Sequence, residues 1–129
     1  MTRILATILA LGMASTAWAA DPLEGLWRTT KDDNGNSGLI EVKPCGAQLC
    51  GTLVKSFDAD GKEIASDNNG RQIITETVSS GGGSYKGKVY SPDRDKTYKS
   101  KLELSGNKLK VSGCVFGICR RAAASARRR

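Results

Sequence analysis

The chain has 129 residues, with 20 Lys or Arg against 13 Asp or Glu and no histidine. Its formal charge of +7 belongs to the ends: without Arg3 and the arginines at 120, 121, 127, 128 and 129, residues 21–119 hold 14 basic and 13 acidic side chains. The length suits one domain with a thin core. The charge distribution argues against a nucleic-acid face, which needs basic residues among aromatics on a folded surface, and the missing histidine removes the commonest general base near neutral pH.

In chain order, "MTRILATILALGMASTAWAA" places Arg3 before an apolar run and closes on small residues. That is the three-part layout of a secretory signal peptide, residues 1–20, with cleavage expected at Ala19 or Ala20 so that the mature chain starts near Asp21. The run is short for a membrane span of about 20 residues, and nothing later is apolar enough to be one. The expected location is the periplasm or the exterior.

After Asp21 the signals are strand-like. "EGLWRTT" reads as a first strand carrying Trp27, which needs a partner for its indole N–H if buried. "GLIEVKPC" and "LCGTLVKS" read as a hairpin around Cys45 and Cys50, with Pro44 at a strand end where a missing N–H matters little. Residues 57–70, "FDADGKEIASDNNG", form a long acidic loop whose Asp58, Asp60, Glu63 and Asp67 lack the closing glutamate of a twelve-residue calcium pattern. "RQIITETV" is a weaker strand, residues 81–83 a flexible glycine break, and "SPDRDK" a polar turn.

"SYKGKVYS" puts Tyr85, Gly87 and Val89 on one face and Lys86 and Lys88 on the other. "TYKSKLELSGNKLKVSGC" alternates on both sides of Gly106-Asn107, a two-residue hairpin turn. That turn sets the register: Leu104 faces Leu109 and Leu102 faces Val111 on one side, and Glu103 faces Lys110 on the other. "CRRAAA" is a short last strand or a frayed end, and residues 122–129 are expected to be a disordered basic tail, able at most to rest on anionic lipid or an envelope protein.

Four cysteines allow three disulfide pairings. The preferred one is Cys45 with Cys50 and Cys114 with Cys119, since each pair flanks four residues and meets locally. In an exported chain such cysteines are staples; a zinc site would need four converging thiolates with tighter spacing, and C-x-x-C redox chemistry has the wrong spacing. No catalytic residue, metal ligand or cofactor is assigned: there is no G-x-S-x-G elbow and oxidised cysteines are not nucleophiles.

The expected fold is all-β, a small antiparallel up-and-down barrel or sandwich of about seven or eight strands over residues 21–121. Shared inward parity puts Trp27, Tyr85, Val89, Tyr98, Leu102 and Val111 inside it, as a lining for a small apolar or amphipathic ligand. The alternative is an envelope interaction or structural module with no ligand cavity.

"DPLEGLWRT", "PCGAQLCGTLV", "GKVYSPDRDKTYKSKLEL" and "LKVSGCVFGICR" resemble, in order and spacing, the exported bacterial family called domain of unknown function 2147. The resemblance implies a calycin-like barrel without an assigned activity. "GLW" is similar to the lipocalin Gly-x-Trp signature, which would make Gly25 and Trp27 the closure of the barrel base and would let Arg120 or Arg121 stack on the indole. The family pattern ends on a strand with a second tryptophan. "RAAASARRR" lacks it, so the resemblance leaves the last strand short and barrel closure open.

Overall fold

The computed structural model describes residues 20–32, 34–92 and 94–128, with side chains to residue 119. The expected leader lies outside these. Among them there is no helix and there are nine strands: β1 (Gly25–Thr29), β2 (Ser37–Cys45), β3 (Gln48–Phe57), β4 (Glu63–Ile64), β5 (Gln72–Gly81), β6 (Ser84–Ser91), β7 (Lys96–Ser105), β8 (Lys108–Val115) and β9 (Ile118–Arg128).

All pairings are antiparallel, and the sheet closes on itself. Each strand from β5 to β9 pairs with the next, β9 pairs with β1, β1 with β2, β2 with β3 and β3 with β5. β4 is a two-residue addition to β3 outside this ring. Eight strands therefore make an up-and-down barrel with no free edge, at the size whose interior is either filled by side chains or holds one small ligand.

The β7–β8 hairpin has the register that Gly106-Asn107 dictates: Leu104 opposes Leu109, Leu102 opposes Val111 and Glu103 opposes Lys110. The inward members Leu102, Leu109 and Val111 are buried, while Lys101, Glu103 and Lys110 are exposed. Burying one such Leu fully is worth about 1.5–3 kcal/mol relative to exposure.

Two expectations are corrected. Residues 122–129 are not a loose tail as far as they are described: β9 runs to Arg128, with Ser125 across from both Leu109 and Thr29 and Arg128 across from Leu26. The edges of β8 and β1 would otherwise carry unpaired N–H and C=O groups, and β9 satisfies both rows at once. Residues 81–83 are not a flexible break. Gly81 and Ser84 pair, and Gly82 and Gly83 turn at φ 64° and 83°, a tight connection that glycine alone adopts without strain. The loop over residues 57–70 is tied down: the Gly70 N–H donates to the Leu53 carbonyl (2.7 Å) and Asp58 Oδ1 accepts from the N–H groups of Asp60 and Lys62 (both 2.9 Å).

β5 holds the main irregularity. Its register with β6 shifts between Thr75 and Val78, and Glu76 sits at φ 51°. This bulge turns Thr77 into the core, fully buried, where its hydroxyl donates to the Thr75 carbonyl (3.0 Å).

Candidate functional site

The two ends of the barrel differ. One end gathers the tight turns: β2–β3, clamped by Cys45–Cys50, then β5–β6 and β7–β8. The other gathers the β1–β2 loop, the acidic connection from β3 to β5, the β6–β7 turn and the β8–β9 turn, clamped by Cys114–Cys119. Both cysteine pairings are the local ones, and no described cysteine is free. Such usage belongs to chains that fold in an oxidising, extracytoplasmic compartment.

The tight-turn end is sealed by the segment before β1. Leu23 is fully buried, and its carbonyl accepts the Trp27 indole N–H at 2.8 Å. Asp21 holds that segment in place: its Oδ1 accepts from the Leu23 N–H (2.8 Å) and from the Tyr85 hydroxyl (2.5 Å), while its own N–H donates to Glu24 Oε2 (3.0 Å). Burial first, and the Asp21 carboxylate second, push the Tyr85 phenol far above the ordinary tyrosine range. Tyr85 is therefore a neutral donor locking the plug to β6.

Above this base lies a cavity of about 660 Å³. Trp27, Ile40, Ile74, Val89, Leu109 and Val111 give it hydrocarbon walls and an aromatic floor; Tyr90, Ser91 and Arg94 stand on its rim. The volume lies within the range of small-molecule sites, and an apolar wall with few polar groups is their usual chemistry. On the rim, the Tyr90 hydroxyl donates to Asp95 Oδ1 (2.6 Å), which raises its phenol pKa, and Arg71 lies 4.5 Å from the ring centroid.

Of the six expected lining residues, Trp27, Val89, Tyr98 and Val111 border this cavity. Tyr85 and Leu102 face each other lower down, 3% and 0% exposed, in the sealed base. Ile40 and Ile74 were not assigned from sequence, and Leu109 was placed on the inner side of its hairpin but not in the lining. The alternation in "GLIEVK" carries a signal for Ile40; for Ile74 the neighbouring buried Ile73 obscures it. The stacking of Arg120 or Arg121 on the indole falls on side chains outside the described ones. Among the described residues no group of three or more His, Cys, Asp or Glu is arranged to hold a metal ion.

One polar atom stands apart. Ser100 is 5% exposed and its Oγ has no hydrogen-bond partner among the described residues. It lies between two glycines, Gly87 across one ladder and Gly113 across the other, and Gly113 borders the cavity.

The sequence pattern of the family described as "Uncharacterized protein conserved in bacteria (DUF2147)" matches residues 25–123. The fold is similar to a solved structure described as protein HP1028 from the human pathogen Helicobacter pylori, a member of the lipocalin family. The TM-score is 0.65 at 18% identity, over 86% of this chain and 85% of that one. No curated protein matches the chain.

Proposed function

The chain belongs to the DUF2147 family of uncharacterized bacterial proteins, and from that starting point we propose that it is an exported, periplasmic, non-catalytic carrier that holds a small apolar or amphipathic molecule in its barrel. The observation that carries this reading is the cavity of about 660 Å³, walled by hydrocarbon and floored by Trp27. A filled interior would favour the alternative, an interaction or structural module without a cavity. A lipocalin-like fold is compatible with ligand binding. Export accords with the N-terminal sequence and with two disulfides. Absence of turnover accords with a sequence lacking histidine and with a wall offering no nucleophile–base pair.

The test is a titration with medium-chain fatty acids, followed by Trp27 emission and by native mass spectrometry. Gly113→Leu is the informative variant. The nearest atoms a Cβ there would meet belong to Tyr98, at 3.5 Å or more, and Gly113 borders the cavity, so the added side chain has room to enter it. Binding by the wild type that Gly113→Leu abolishes supports the reading. No bound species from fatty acids or from a lipid extract of the source envelope overturns it.

A further inference from the structure

The β8–β9 turn breaks the rule by which the rest of the surface is built. Val115, Phe116 and Ile118 are 48%, 97% and 66% exposed, and they form the only contiguous group of large exposed hydrophobics among the described residues. Phe116 and Gly117 both have positive φ, 52° and 79°. This is the backbone of a primed two-residue turn, which favours Asn or Asp at its first position. A bulky aromatic there is strained and finds no packing partner in return. Folding alone does not account for it.

We propose that this tip is a membrane-docking device: Phe116, flanked by Val115 and Ile118, inserts among the acyl chains of an anionic lipid surface and brings the cavity mouth onto it. Three further observations support this. Val115 and Ile118 also border the cavity, so the apolar surface runs unbroken from the tip into the barrel. The Cys114–Cys119 link closes directly behind the turn, so little conformational freedom remains to be lost on insertion.

Charge supplies the third and selects the partner. Lys99 lies across the ladder from Cys114, Arg94 occupies the neighbouring turn and Lys96 opens β7. All three are exposed and make no ion pair among the described residues. Asp93 and Asp95 belong to the same stretch of sequence, and Asp95 accepts from the Tyr90 hydroxyl while keeping its negative charge. In ring order the β3–β5 connection, with Asp58, Asp60, Glu63 and Asp67, lies diametrically across the mouth. Beside the apolar tip three cations thus stand against two carboxylates, while the opposite side of the mouth is acidic, which tilts the tip toward anionic headgroups. A stable protein interface buries about 800 Å² per partner, far more than one turn offers. Interfacial insertion scales with whatever apolar area is available.

The experiment uses full-length protein and two vesicle types, phosphatidylcholine alone and phosphatidylcholine with phosphatidylglycerol. Wild type is expected to float with the anionic vesicles, more weakly at high salt and weakly with the neutral ones. Phe116→Asn is the decisive variant: Asn suits a positive φ, so the change should leave melting temperature equal or higher while vesicle binding falls about tenfold or more. The readout can be placed on the tip itself, clear of any apolar leader. In a chain whose Trp18 is replaced by Phe, the indole introduced by Phe116→Trp should be quenched by brominated acyl chains, while the buried Trp27 should not. Wild type that stays off anionic vesicles, Phe116→Asn that floats as well as wild type, or an unquenched indole at the tip each overturns the proposal, including where a soluble protein is found to bind the tip instead. Ligand titration in free solution needs no vesicle, so failure here is separable from failure of the carrier reading.

Discussion

Leu23 and Trp27 hold each other in place: the indole N–H reaches the Leu23 carbonyl at 2.8 Å, and the two side chains are 0% and 1% exposed. The contact spans only four residues, yet it closes one end of an eight-strand barrel. Trp27 thereby satisfies its one donor while presenting the ring upward as a cavity floor.

Leu23→Ala should therefore open the base. Removing a fully buried Leu side chain costs about 2–5 kcal/mol, depending on how far the site collapses. Urea denaturation should show the midpoint falling, and the Trp27 emission of the folded protein should move to longer wavelength as water reaches the ring. A variant with unchanged midpoint and emission would mean that the segment before β1 is not a plug.

Burial of the Tyr85 phenol, together with its hydrogen bond to Asp21, makes stability depend on alkaline pH. The folded-state phenol titrates far above the ordinary tyrosine value near 10, to which the unfolded chain returns. With a raised folded pKa, the stabilisation is fully present below pH 10. Above it the unfolded chain loses the Tyr85 proton while the folded chain keeps it, so stability falls as pH rises. Tyr85→Phe should be less stable than wild type at pH 7 and should lose less stability between pH 10 and pH 12. Parallel slopes for the two proteins over that range would contradict the assignment.

Gly87 and Gly113 flank the same Ser100, yet they should respond unequally to alanine. A Cβ on Gly87 would lie 2.5 Å from Thr77 Oγ1 and 2.7 Å from the Thr75 carbonyl oxygen, inside the β5 bulge, where backbone must shift to make room. On Gly113 it meets the Tyr98 ring at ordinary van der Waals distance. Gly87→Ala should cost at least about 1–3 kcal/mol, as overpacking of a tight core does. Gly113→Ala should stay within about 1 kcal/mol of wild type, as at a site with room for the added methyl. Thermal melts of the two variants provide the comparison, and equal shifts would refute the asymmetry.

What could be read from sequence follows the strength of local signals. In β7 and β8, alternation, the Gly106-Asn107 turn and the Glu103–Lys110 cross-strand pair all point to one register, and that register is present. The cysteine pairings were legible because each ring closes over four residues. The full length of β9 was not: "CRRAAA" allowed a short last strand, but "RAAASARRR" has neither alternation nor β-branched residues, and its continuation is imposed by the edges of β8 and β1. Parity placed Tyr85 and Leu102 inside correctly but carries no information on height along the barrel, so it could not separate base from cavity wall. On β5, the bulge at Glu76 and the adjacent buried Ile73 and Ile74 broke the alternation that would have assigned Ile74.

Ser100 offers a last test, with an unusual sign. A buried hydroxyl normally stabilises through its hydrogen bond, and its loss costs about 0.5–1.5 kcal/mol. Ser100 Oγ has no protein partner among the described residues, so no group of the barrel wall offsets its desolvation. Ser100→Ala removes that penalty and leaves a gap of one oxygen atom, flanked across both ladders by glycines. The variant should be as stable as wild type or more so in chemical denaturation. Affinity should move the other way for any cavity ligand whose polar group reaches down to the hydroxyl, and should not change for a pure hydrocarbon of the same length. A clear loss of stability in Ser100→Ala would show that the hydroxyl is hydrogen-bonded in solution, and the sign of the argument would reverse.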